Sequence, residues 1–227
     1  MTETTTRRGF FSTGAVALAG VSLSTLIEAP PIEAQRKPAI GADLVKEFVG
    51  KAHGNLERTM ELVAEVPNIV NASWDWGNGD WETALGAASH VGRKDIADFL
   101  LANKARKDVF CAAMQGEADI IKASLAVDPG VARLPGPHRI TLLFHAGLGG
   151  NVEIAKMLKE NGAHDDGALH AAVWFGHLPM TKWLLDHDTQ DLNVKRRKMT
   201  ALDLAIKEGH TEIADFLKVR GLEETKG

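Results

Sequence analysis

Tyrosine is absent from the 227 residues, and cysteine occurs once, at Cys111. A single thiol excludes an intrachain disulfide and every paired-cysteine metal motif. Neither sign of charge dominates. Lys and Arg number 26 against 30 Asp and Glu, a formal net charge of -4, too small to argue for nucleic acid or an anionic membrane as partner. No apolar run reaches the roughly 20 residues that span a bilayer. The most apolar stretch, from about Gly14 to Ile27, is short and rich in Gly, Ala, Ser and Thr, so no stable membrane anchor is expected. His-Glu-x-x-His and a phosphate-binding glycine loop are also missing, which leaves no catalytic residues and no cofactor to name.

What remains is enough apolar residue, 44%, to build one medium-sized core. Self-similarity shows how it is organised. The segments TALGAASHVGRKDIADFLL (83–101), TLLFHAGLGGNVEIAKMLK (141–159) and TALDLAIKEGHTEIADFLK (200–218) superpose without gaps. KDVFCAAMQGEADIIKASL (107–125) and GALHAAVWFGHLPMTKWLL (167–185) join them. Each has Leu or Val at the third position, Ala or Gly at the sixth, Gly at the tenth and paired apolar residues near its end. That pattern predicts a helix, a glycine-ended turn and a second helix. The small residues permit close helix approach, and the large ones fill the layer between neighbours.

These units resemble ankyrin repeats. Thr200-Ala201-Leu202 with Gly209-His210, and Leu169-His170 with Gly176-His177, match the Thr-Pro-Leu-His and Gly-His signatures, although proline is missing from each tetrapeptide. The resemblance covers residues 42–221, with 43–67 as a degenerate first unit. It implies an all-α solenoid of about six helix-turn-helix units. The turn glycines would be Gly54, Gly92, Gly116, Gly150, Gly176 and Gly209, spaced 38, 24, 34, 26 and 33 residues apart. The period of such repeats is about 33. The short intervals therefore lack room for the finger that joins repeats. Fingers are expected at alternate junctions only, over 67–82, 127–140 and 186–199, with a polar tail at 222–227.

The N-terminus carries a second resemblance. Thr6-Arg7-Arg8-Gly9-Phe10-Phe11 ahead of a mild apolar stretch is similar to the twin-arginine signal of bacterial export. It implies a signal peptide over 1–34, a linker over 35–41, and a protein that acts in the periplasm or beyond. Such a route exports folded chains, in keeping with one unpaired thiol.

In ankyrin proteins the eighth and ninth positions of each unit and the fingers line a concave binding surface. Here those positions include His90, Met114, Trp174 and Phe175. The first finger, NASWDWGNGDWET (71–83), holds three tryptophans in eight residues. A fully exposed trio would leave several hundred Å² of apolar surface uncovered. We therefore expect Trp81, beside the helix start at Thr83, to anchor the finger. Trp74 or Trp76 should face the groove with Asp75 and, from the second finger, His138. His53, His90 and His138 could converge with Asp75 or Asp80 on a metal, but their spacing is not diagnostic, and no metal is expected. His170, His177, His210 and His145 read as structural. The resemblance implies a non-enzymatic module that binds a protein or peptide, with a small-molecule binder or an enzyme using an aromatic and histidine pocket as the alternative.

Overall fold

The computed structural model describes residues 39–164, 167–187 and 193–225. The expected export signal with Arg7 and Arg8, the start of the expected linker, residues 165–166, part of the third finger and the last two residues lie outside the described residues. The helices pair in sequence: α1 (Ala42–Lys51) with α2 (Leu56–Glu65), α3 (Ala84–His90) with α4 (Lys94–Ala102), and α5 (Val109–Gln115) with α6 (Ala118–Val127). Then come α7 (Leu142–Gly149) with α8 (Val152–Glu160), α9 (Ala168–Trp174) with α10 (Leu178–His187), and α11 (Ala201–Lys207) with α12 (Thr211–Val219).

Local chemistry sets the helix starts. Thr83, Asp108, Thr141 and Thr200 cap α3, α5, α7 and α11, each accepting a backbone N–H two or three residues into the helix. Thr200 and Asp203 complete a reciprocal capping box. The first helices of the pairs are short and rich in small residues because they pack against one another. A Cβ on Gly147 would come within 2.6 Å of the Ala168 carbonyl oxygen, and one on Gly149 within 2.6 Å of that of Met114. Those contacts draw α5, α7 and α9 together. The second helices bury one apolar stripe each, such as Ile154, Ala155 and Leu158 of α8.

The last three pairs are each tied to their predecessor at the turn. Asn151 Nδ2 donates to the Gly116 carbonyl, while His177 Nε2 and His210 Nε2 meet the carbonyls of Leu148 and Trp174 at 2.9 and 3.1 Å. His170 Nε2 lies 3.2 Å from the Met199 carbonyl of the following finger. His145 is buried, with Nδ1 2.8 Å from the Thr141 carbonyl. Among the expected turn glycines, Gly92, Gly116, Gly150, Gly176 and Gly209 have φ between 71° and 81°, the left-handed conformation that a Cβ disfavours. Gly54 does not. The α1–α2 turn closes through Asn55, which caps α2, and makes no such demand on its backbone.

The fold is mostly helical rather than all-α. The first finger contains an antiparallel ribbon of β1 (Ser73–Asp75) and β2 (Trp81–Thr83), with Trp74 opposite Glu82. The second and third fingers hold single bridges, Pro135 with Thr141 and Arg196 with Met199. Between α4 and α5, residues 103–108 form only a tight turn, as the short glycine interval predicts. Asn71 fixes the base of the first finger to that turn, donating to the Lys104 carbonyl and accepting from Arg106 N–H.

Candidate functional site

Four side chains from separate elements meet where the first two fingers cross the start of the helical array. His53 follows the C-terminus of α1, Glu82 is the middle residue of β2, His90 is the last residue of α3, and His138 lies in the second finger. One donor atom from each falls within 4.8 Å of all the others. Strand alternation explains Glu82. Its neighbours Trp81 and Thr83 point to the opposite face of the ribbon, so Glu82 is turned inward, and its side chain is wholly buried. His90 is buried beside it, while His53 and His138 are about one third exposed.

The Glu82 carboxylate is the centre. Its Oε2 accepts from Trp76 Nε1 at 2.7 Å and lies 3.4 Å from His53 Nε2 and 3.5 Å from His138 Nε2. Its Oε1 is 2.9 Å from His90 Nδ1, yet neither atom has an aligned hydrogen-bond partner. Burial pushes the carboxyl up, but His90, Trp76 and His53 together outweigh it and hold Glu82 below its ordinary value. Trp76 and the three imidazoles form an aromatic wall around it, with His53 and His90 ring centres 4.9 Å apart and His90 and His138 5.2 Å apart.

Asp80 holds His138 in place. It accepts the His138 backbone N–H at 2.8 Å and lies 2.7 Å from Nδ1 of the same ring. That backbone N–H, with the ring beside it, keeps Asp80 below the usual carboxylate range. His138 and Arg139 both sit at positive φ, 55° and 59°, an unfavoured conformation for residues with a Cβ.

Next to this cluster lies an open cleft of about 330 Å³, lined by Trp81, Phe110, Pro135 and Pro137 among others. Trp81 is 61% exposed. Trp174 and Phe175, at the C-terminal end of α9, are also exposed, at 36% and 37%. The Phe175 ring stands against the α3–α4 turn, where any side chain at Gly92 would collide with it.

A family model described as ankyrin repeats (3 copies) matches residues 109–196 and 164–224. The chain belongs to the ankyrin repeat family. Comparison with curated proteins gives no match. Ankyrin repeats suggest a protein-binding module, and among the described residues no helix is long and apolar enough to cross a membrane.

Within this ankyrin array, the expected site residues separate into groups. Trp76, His90 and His138 meet around Glu82. Asp75 does not join them; its Oδ1 accepts the Gly77 N–H and shapes the hairpin turn. Met114 is fully buried in the core rather than exposed on the groove, because the tightly packed short helices close over the eighth position there. The division expected for the tryptophans holds for Trp76, which is 38% exposed and joins the cluster, but not for Trp81. Trp74 packs against the core with Lys46 over its ring, and Trp81 is the most exposed of the three. Proximity to the helix start suggested an anchor, but ribbon alternation decides which side each residue faces. The same alternation was the signal for Glu82: Trp81-Glu82-Thr83 places it opposite in phase to both neighbours.

Proposed function

We propose that all six helix pairs are ankyrin repeats and that the chain recognises a protein or peptide outside the cytoplasm. The observation that carries this reading is Trp81. A large aromatic held 61% exposed on a braced two-stranded finger is the kind of rigid anchor that dominates protein interfaces. The adjoining cleft, with Phe110, Pro135 and Pro137, offers an apolar seat for an extended peptide. Trp174 and Phe175 add a second exposed aromatic pair. Export rests on the Arg7-Arg8 sequence, and changing both to Lys should leave the precursor in the cytoplasm; unchanged fractionation would remove that part of the reading. The recognition claim is tested by affinity capture with wild-type and Trp81→Ala bait, quantified side by side. A partner enriched on wild type and lost from the variant supports it. Identical captured proteins on both baits count against it.

A further inference from the structure

We propose that His53, Glu82, His90 and His138 bind one divalent transition-metal ion of the Zn²⁺ class, which staples the first two fingers to α1 and α3. This goes beyond partner recognition and does not depend on it.

Hydrogen-bond bookkeeping leads to the ion. His53 Nδ1 faces the carbonyls of Val49 and Gly50, each at 3.2 Å. Carbonyl oxygens only accept, so Nδ1 carries the proton, and in the neutral ring Nε2 presents a bare lone pair to Glu82 Oε2. His138 repeats the arrangement. Its Nδ1 faces the Asp80 carboxylate at 2.7 Å, so in the neutral ring Nε2 aims a lone pair at the same oxygen. The last two atoms, His90 Nδ1 and Glu82 Oε1, are buried, 2.9 Å apart and without aligned partners. Lone pairs converging on a carboxylate repel one another unless positive charge lies among them, and a single ion reached by all four donors supplies it.

The dimensions suit such an ion. Metal–ligand bonds of 2.0–2.2 Å in a tetrahedron place donors roughly 3.3 Å apart. Glu82 Oε2 lies 3.4 and 3.5 Å from the His53 and His138 nitrogens and Oε1 2.9 Å from that of His90, and no two of the four donors are more than 4.8 Å apart, a spread that a small inward shift would close. Three imidazoles and one carboxylate select a borderline transition ion over Ca²⁺ or Mg²⁺, which prefer all-oxygen shells. Carbonyls behind His53 and a carboxylate behind His138 are the outer partners that orient metal-bound histidines. Four protein donors fill a tetrahedron, which marks the site as structural rather than catalytic.

The test uses the full chain without a histidine tag, stripped with a chelator and dialysed against Zn²⁺ at neutral pH. One Zn²⁺ per chain is expected, with a rise in melting temperature that Ca²⁺ and Mg²⁺ do not reproduce. Co²⁺ should give the visible absorption of a tetrahedral ion. His53→Ala and His138→Ala, at partly exposed positions, should abolish stoichiometric uptake, and Asp80→Asn should weaken it about 10- to 100-fold. His164→Ala, outside the cluster, should bind as wild type does. Substoichiometric uptake, or equal uptake by the two histidine variants and wild type, overturns the site. A chain that takes up no Zn²⁺ and loses stability as pH rises through the histidine range would instead place protonated imidazoles around Glu82. Partner capture by the metal-free chain separates failure of this site from failure of the recognition reading.

Discussion

Asp80 and His138, 58 residues apart in sequence, are joined twice, through the His138 backbone N–H and through its ring. Two fingers thereby become one platform. Both side chains are about one third exposed, so screening limits the contribution to about 1 kcal/mol. Asp80→Asn keeps the shape and weakens both contacts. We expect a melting temperature lower by about 2–4 °C and faster amide exchange at His138, measured on metal-free protein. Unchanged exchange at that amide would mean that the second finger is held elsewhere.

The tryptophans of the first finger should separate by stability. Trp74→Ala removes a ring packed on the core and should cost about 2 kcal/mol or more. Trp81→Ala removes an exposed ring and should stay within about 0.5 kcal/mol of wild type. Denaturant titrations of the two variants make the comparison, and acrylamide quenching should reach Trp81 before Trp74. The opposite order would restore Trp81 as the anchor.

Two turn glycines differ in their surroundings. Gly150 and Gly209 share positive φ, but a Cβ on Gly150 would approach the His177 ring to 2.5 Å, whereas nothing lies within 4 Å of one on Gly209. Gly209→Ala should cost only backbone strain, about 1 kcal/mol. Gly150→Ala adds displacement of the ring that bonds the Leu148 carbonyl and should cost clearly more. Thermal melts of both variants decide the matter; equal losses would show that the turn contact contributes little.

Acid should act through His145. Burial, its largest cause, lowers this ring to about 4 from 6.5, although the Thr141 carbonyl favours the charged form. A base with a depressed folded value stabilises the protein above pH 6.5, and that stability is lost as pH falls towards 4. Between pH 7 and 5 the loss from this one group is about 2 kcal/mol. His170, lowered chiefly by burial, acts in the same direction. His145→Asn can still donate to Thr141, so its unfolding free energy should fall less over that interval. Parallel pH profiles for variant and wild type would remove His145 as the cause.

The helical array was legible in the sequence because most units repeat the same demands: a small residue where helices meet, a glycine where the chain turns, and in four of them a threonine or aspartate where the first helix starts. The fingers were less legible. Their residues answer to partners far along the chain, as Asp80 does to His138 and Asn71 to Lys104 and Arg106. Glu82 was overlooked because a glutamate near a helix start usually faces solvent. Only the ribbon, whose period of two is hidden in a three-residue strand, turns it inward to the histidines. Met114 shows the reverse error: a position open in a regular solenoid is closed here by the close approach of α5 and α7.

Site-specific photo-crosslinking at position 81, in cells, tests the central claim most directly. A photoreactive side chain in place of Trp81 should yield a discrete adduct with another protein. The same group in place of Val127, 88% exposed at the end of α6, should yield none. Adducts from position 127 alone, or equal adducts from both positions, would contradict recognition through the first finger.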